Sequence, residues 1–425
     1  MGAMPRAAPR LVLTPRGELR VRGGHPWVYR ADVSRLDGTW RAEEPVTVSD
    51  PAGRGLGRGF YNPRPQIVCR LLTRHDEPVD LAFFRRRIEA AWRFRQTLAY
   101  AGDAVRVVAS EGDGLPGLIV DRYADRAVLQ AQTLGIEHHA PSLAGLVAEV
   151  TGVRAVYRRT DPTAAAIEGL TSEAGWLIGD GAAIGSTPAA APSAPAGESA
   201  NPPARAATPV EVEIREGACG FRVAIETGQK TGFYLDQREN REAVARLARG
   251  RTVLDAFAYT GAFGCHALRA EAQHVLALEA SAEACAAARA HAALNGVADR
   301  FEALSANAFD VLRDLERTGR RFDLVVLDPP PFTRRRTAVE AALRGYKEVN
   351  LRALRCLRAG GILATFSCSH HVGPALFEGV CRAAAQDVGR PVRLLGTLGQ
   401  ARDHPVLLTV PETRYLTGLL LEVLE

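Results

Sequence analysis

Cys368 has the widest chemical reach of any side chain in the sequence. It sits in Ser367-Cys368-Ser369, directly after the apolar run Ile362–Phe366. Cysteine is more often a small buried hydrophobe than a nucleophile, but this one has polar neighbours and follows a predicted strand. A thiolate there could add to carbon 6 of a pyrimidine and make carbon 5 enamine-like, so that carbon 5 attacks a sulfonium methyl. Loss of the carbon-5 proton and expulsion of sulfur would close such a cycle. The run Asp328-Pro329-Pro330-Pro331-Phe332 follows a second apolar stretch, Leu324–Leu327. Consecutive prolines cannot extend a central strand but make a rigid, extended loop. Asp328 would be held at the strand end, able to grip a ring nitrogen or exocyclic amine of a base or to border a cofactor. Pro329, Pro330 and Phe332 are the candidate substrate contacts. The bland alternative is a turn that merely ends the strand.

Other residues point to a nucleoside-bearing cofactor. In Asp255-Ala-Phe257-Ala-Tyr259-Thr-Gly261-Ala-Phe-Gly264, an acidic strand residue precedes a glycine turn and a predicted helix. Gly261 permits close backbone approach, and the helix start offers free N–H groups. The spacing is not G-x-G-x-x-G, which disfavours a dinucleotide. Glu279, ending the next strand, could accept hydrogen bonds from ribose hydroxyls or simply cap the following helix. Asn307 could accept from an adenine amine or form a turn. His370 and His371 could tune Cys368 or touch phosphate. No Cys, His and carboxylate spacing suggests a metal site.

The elements needed to position these residues are legible. From residue 250 onward predicted strands (Thr252–Phe257, His274–Leu278, Phe322–Leu327, Ile362–Phe366) alternate with helices (Ala282–Leu294, Ala338–Leu357). That pattern implies a mostly parallel sheet covered on both faces, with ligands beyond the carboxyl ends of its strands. Residues 10–76 read as short strands punctuated by Gly, Pro, Asp and Asn, a small barrel or sandwich. Residues 80–185 open with an amphipathic helix (Leu81, Phe84, Ile88, Ala91) and continue as a central α/β domain. The stretch 186–209, rich in Pro, Ala and Ser, reads as a mobile linker. Residues 210–425 form the remaining domain.

A chain of 425 residues has room for two or three domains. The net charge is +5, and residues 1–100 carry 18 Arg against 10 acidic residues. A basic N-terminal part hints at a polyanionic partner, although Arg so outnumbers Lys that coding bias would also produce it. Seven cysteines without a C-x-x-C pair argue against a disulfide framework or zinc ribbon and for a reducing cytoplasm. Neither a signal peptide nor a membrane span is read.

Taken together, Gly228-Gln-Lys-Thr-Gly-Phe-Tyr-Leu-Asp-Gln-Arg238, the 255–264 turn, Asp328–Phe332, Gly345-Tyr-Lys-Glu-Val-Asn350, Ser367–Ser369 and Asp403-His-Pro405 resemble the RlmI-like family of bacterial large-subunit rRNA cytosine-5 methyltransferases. Gly24-His-Pro-Trp27 resembles that family's N-terminal PUA domain. The resemblance implies an α/β protein with a PUA β-barrel, a central α/β domain and a Rossmann-like class I methyltransferase domain. It implies S-adenosylmethionine as cofactor, bordered by Asp236, Gln237, Arg238, Asp255, Phe257, Tyr259, Gly261, Glu279, Asn307 and Asp328. Cys368 is then the nucleophile, and rRNA of the large ribosomal subunit the partner. A homodimer is left open. Two departures stand out: Pro331 replaces a common Lys, and Asn307 a common Asp.

Three readings follow. The first is cytosine-5 methylation of 23S rRNA through a cysteine adduct. The second is methylation of a ring or amino nitrogen, such as guanine nitrogen-7, which needs no thiol. The third is an RNA-binding protein without catalysis, whose affinity would fall with salt.

Overall fold

The computed structural model describes residues 9–171, 173–179, 210–333 and 336–425. The expected linker at 186–209 lies outside the described residues. The chain divides into two compact units: Met1–Ala99, Asp103–Glu213 and Arg222–Phe233 form one, and Tyr100–Gly102, Ile214–Phe221 and Tyr234–Glu425 the other.

In the first unit, β1 (Arg10–Leu13), β2 (Trp27–Tyr29), β3 (Val33–Asp37), β4 (Pro45–Ser49), β5 (Gly55–Tyr61) and β6 (Ile67–Thr73) form a sheet in the order β2-β6-β5-β4-β1-β3. Alternation in β4 sends Val46 and Val48 to the core. The short helix α1 (Pro15–Arg22), which periodicity had not revealed, starts where the Thr14 hydroxyl accepts from the Gly17 N–H and Pro15 presets the first turn. A second sheet, β7 (Ala104–Ala109), β8 (Leu118–Tyr123), β9 (Arg126–Ala131), β10 (Ala155–Thr160) and β11 (Gly175–Ile178), runs in the order β11-β10-β9-β8-β7. Helices α2 (Leu81–Thr97), α3 (Leu134–Thr151) and α4 (Pro162–Glu168) accompany it. Phe84 and Ile88 of α2 and Ile136 and Leu143 of α3 fill its core, joined by Phe60 and Leu72 of the first sheet. The hairpin of β12 (Glu211–Glu216) and β13 (Cys219–Ala224) follows.

The second unit is built on a seven-stranded sheet. After α5 (Arg238–Ala245) come β14 (Thr252–Ala256), α6 (Ala262–Arg269), β15 (His274–Glu279), α7 (Ala282–Leu294), β16 (Phe301–Ser305), α8 (Ala308–Arg317), β17 (Phe322–Leu327), α9 (Val339–Arg355), β18 (Leu357–Ser367), α10 (Pro374–Val388), β19 (Val392–Gly399) and β20 (Thr417–Val423). Their order is β16-β15-β14-β17-β18-β20-β19. The first five are parallel, as the β/α alternation predicts. Leu324 to Leu327 are fully buried, the continuous apolar run of a strand covered on both faces. The last two strands differ from that expectation. β20 lies antiparallel between β18 and β19, because β19 runs along the margin and its hairpin return fills the gap. Among the described residues no helix is long and apolar enough to cross a membrane.

Candidate active site

β14 is the topological switch point of this sheet. The chain leaves it through α6 toward β15 on one side, while β17 pairs with it on the other. Such a divergence opens a crevice at the carboxyl edge. The loop that enters it has Phe257, Tyr259 and Gly261 at φ +64°, +48° and +74°. Two non-glycine residues in the left-handed region are strained, and such strain concentrates at functional sites. At Gly261 no other residue fits: a Cβ would come within 2.9 Å of Ala288 and Phe301.

Asp255, next to last in β14, is buried, and its Oδ2 accepts from the Gly264 N–H at 3.0 Å. Burial, with Asp328 and Glu279 adding negative charge, overcomes that hydrogen bond and the Arg241 charge and pushes its carboxyl up to about 7. Its Oδ1 is buried with no hydrogen-bond partner, a place for a donor or cation from a ligand. Glu279 is fixed from both sides: Oε2 accepts from the Tyr259 N–H and Oε1 from the Ser281 N–H, each at 2.9 Å. Each oxygen keeps a lone pair, enough for two vicinal hydroxyls. Asn307 is the N-cap of α8, its Oδ1 accepting from the Phe309 N–H at 2.9 Å. The turn-forming role is therefore real, and any adenine contact would use what capping leaves over.

The Asp328 loop and Cys368 lie at the same edge. Cys368 is the sole half-exposed cysteine; the other six are buried. Burial pushes the Cys356 thiol up to about 11 and the Cys69 and Cys381 thiols up to about 12. Inert, protonated thiols are expected there. The loop of Cys368 is braced by its neighbours. Ser369 Oγ lies 2.9 Å from the Tyr346 hydroxyl, and accepts from the Thr333 N–H at 3.4 Å. Tyr234, mostly buried, connects the cluster. Burial first, then Tyr259, Asp328, Asp236 and Cys368, push its hydroxyl well above the ordinary tyrosine range, and its ring meets Tyr259 edge-on at 5.2 Å. Asp236 accepts from the Tyr415 hydroxyl at 2.8 Å.

Not every expected residue faces this edge with free chemistry. Gln237 accepts from the Asn240 amide at 2.6 Å. Arg238 is buried, paired with Glu216 at 3.2 Å and stacked over the Tyr100 ring. Phe332 packs on Tyr346 and Phe309, with centroids 4.4 and 5.7 Å away; it shapes the wall behind the loop. Pro329 is buried, whereas Pro330 is exposed. Sequence reading missed Tyr234, although it lies inside the 228–238 run. It also missed Glu216, the buried acceptor for Arg238, Arg241 and His266. Alternation in β12 puts Glu216 on the inward side with Val212 and Ile214, while Glu211 and Glu213 face water, but nothing local shows which partners it meets there.

Asp328 and Glu279 thus both lie close enough to Asp255 to disfavour its negative charge. A cationic sulfonium with a ribose would relieve that repulsion, so the residues present suit S-adenosylmethionine. The sheet order and this site define the Rossmann-like class I of S-adenosylmethionine-dependent methyltransferases. Residues 11–74 match the PUA-like domain family, and residues 167–389 the S-adenosylmethionine-dependent methyltransferase family. Two solved structures share the fold. One is an S-adenosylmethionine-dependent methyltransferase from Streptococcus mutans, with TM-score 0.78, 17% identity and coverage of 97% of this chain and 100% of that one. The other is a methyltransferase complexed with S-adenosylhomocysteine, with TM-score 0.80, 18% identity and the same coverage. The ribosomal RNA large subunit methyltransferase I of Alteromonas mediterranea is 36% identical over 418 residues, 97% of this chain and 98% of that protein. Its counterpart in Erwinia tasmaniensis is 35% identical over 419 residues, 98% of this chain and 99% of that protein. The chain belongs to the ribosomal RNA large subunit methyltransferase I family.

Proposed function

We propose that this protein methylates carbon 5 of a cytosine in large-subunit (23S) rRNA, with Cys368 as a covalent nucleophile. The observation that carries the reading is the half-exposed Cys368 beside Pro329, with the Asp328-Pro-Pro loop on the same strand edge. S-adenosylmethionine supplies a methyl group on positively charged sulfur. Glu279 would hold its ribose, Asp255 and the Phe257–Gly261 loop its amino-acid end, and Asn307 its base. Asp236, near Tyr234, would border the same space.

Asp328 grips the cytosine edge and, held by its prolines, keeps the base in register with the thiol. The Cys368 sulfur, having lost its proton, bonds to carbon 6, and the electrons of the ring double bond move to carbon 5. Carbon 5 then has the electron density to accept the methyl group. After carbon 5 gives up its proton, the bond between sulfur and carbon 6 breaks, the ring double bond re-forms and the thiolate returns. The basic N-terminal domain contributes phosphate contacts that orient the RNA without reading sequence. Residues 10–76, 80–185 and 210–425 serve as RNA-binding, central and catalytic domains.

The test is transfer of labelled methyl from S-adenosylmethionine to deproteinised large-subunit rRNA, with nucleoside analysis and Cys368→Ala in parallel. Labelled 5-methylcytidine that disappears in the variant supports both base and nucleophile. Label on a purine nitrogen would refute the target and the thiol mechanism together.

A further inference from the structure

Leu408 is 91% exposed, the most exposed large hydrophobic side chain among the described residues. It stands at the tip of a tight turn in the connection between β19 and β20. That turn is rigid. The Val410 N–H donates to the Leu407 carbonyl at 3.0 Å, and Val410 itself is fully buried. The Leu407 N–H donates to Thr413 Oγ1 at 2.9 Å, and Thr413 Oγ1 donates back to the Val410 carbonyl at 2.7 Å. Gln400 ties both arms together, donating to the carbonyls of His404 and Thr413 at 2.8 and 2.7 Å and accepting from the Tyr415 N–H at 3.1 Å. Thus a leucine is held out in water on a braced support. Exposure of that much apolar surface brings the fold nothing.

The position of this turn is fixed by register. Thr417, first residue of β20, pairs with Ser367 on one side and Gly399 on the other. Ser367 immediately precedes Cys368. The connection bearing Leu408 therefore leaves the sheet at the nucleophile's own edge, two strand spacings or about 10 Å from it. It also reaches the site chemically: the Ala401 N–H donates to the Asp236 carbonyl at 2.9 Å, and Tyr415 donates to the Asp236 carboxylate. Two exposed cations accompany it. Arg402 is paired with Glu239, whereas Arg414 makes no ion pair among the described residues.

Attack on carbon 6 proceeds along the normal to the pyrimidine ring, the direction that neighbouring bases cover in a stack. A base treated this way must leave the stack, and enzymes that extrude bases pay for the unstacking. Apolar side chains, leucine among them, serve as wedges between base steps. We propose that Leu408 is such a wedge: it enters the RNA stack as the target cytosine is withdrawn toward Cys368, while Arg414 meets a flanking phosphate. This rests on the cytosine-5 reading above.

The experiment uses two RNA oligonucleotides carrying the cytosine located by nucleoside mapping, one with it paired in a hairpin stem and one with it unpaired. Initial rates of methyl transfer are compared for the wild-type enzyme, Leu408→Ala and Leu408→Phe. The wedge requires Leu408→Ala to lose about tenfold or more in kcat/KM on the paired RNA and to stay within about twofold on the unpaired one. Leu408→Phe, still able to fill the gap, should stay near wild type on both. Equal loss on both RNAs, or no loss on either, overturns the wedge while leaving the methyltransferase intact. Absence of 5-methylcytidine when the wild-type enzyme acts on the rRNA at the mapping step is a different failure: it overturns the cytosine-5 reading, and the wedge with it.

Discussion

The Cys368 Sγ lies 3.7 Å from the carbonyl oxygen of Pro329, to which the thiol donates. Two loops from different strands, one carrying Cys368 and one carrying Asp328, are thereby in contact. The thiol proton is held on the backbone of the residue that follows Asp328. A substrate edge bound at Asp328 is consequently delivered beside the sulfur.

Replacement of Cys368 by Ala should abolish methyl transfer, by roughly three orders of magnitude or more, with thermal unfolding unchanged because the side chain is half exposed. A 5-fluorocytosine RNA blocks loss of the carbon-5 proton and should trap the wild-type enzyme as a covalent complex visible on a denaturing gel. Cys368→Ala should give no such band.

Gly261→Ala tests the turn. The new methyl meets Ala288 and Phe301 at 2.9 Å on a backbone at φ +74°. Overpacking and strain together should cost about 2 kcal/mol or more of stability. Cofactor affinity should fall further than stability alone explains, as calorimetric titration with S-adenosylhomocysteine would read out.

Asp255 should make stability fall with rising pH. Its folded pKa, about 7, is raised above the unfolded value near 3.8. The folded state therefore holds the proton more tightly; the stabilisation is complete below about pH 4 and is lost as pH rises through 7. Asp255→Asn cannot ionise, so it should unfold at higher temperature than wild type at pH 8, by at most about 4 kcal/mol of stability. The advantage should shrink as pH approaches 4. Melting curves across that range would expose a flat difference, which this account forbids.

Glu216 anchors a different part of the site. Although burial favours its neutral form, the Arg241 charge and hydrogen bonds from His266 and Arg241, with Arg238 beyond, hold its carboxyl well below the usual range. Its contribution is present above the unfolded pKa near 4.5 and is lost only in stronger acid. Glu216→Gln removes the carboxylate that pairs with the buried guanidinium groups of Arg238 and Arg241 and should cost about 3–5 kcal/mol. Denaturant melts at neutral pH would measure it. Since Arg238 follows Asp236 and Gln237, cofactor affinity should weaken too.

The sequence by itself determined the elements and their edge. Period and punctuation placed β14, β15, β17 and β18, and the rule for parallel sheets placed Asp255, Glu279, Asp328 and Cys368 together at their carboxyl ends. Local chemistry suffices there: an apolar run must be a buried strand, and a glycine turn or a proline run must end it. Tertiary structure alone decided what those side chains do with their neighbours. The resemblance puts Arg238 beside the cofactor, and the fold adds a pairing with Glu216, 22 residues away, that no local pattern announces. Asn307 spends its oxygen on a helix cap, and Phe332 turns to Tyr346. The left-handed backbone at Phe257 and Tyr259 has no glycine to announce it. Most of all, β20 slips antiparallel between β18 and β19, and this long-range pairing anchors both ends of the connection that bears Leu408 at the edge where Cys368 stands. Burial, charge pairing and strand order arise from contacts across the chain, and no local pattern encodes them.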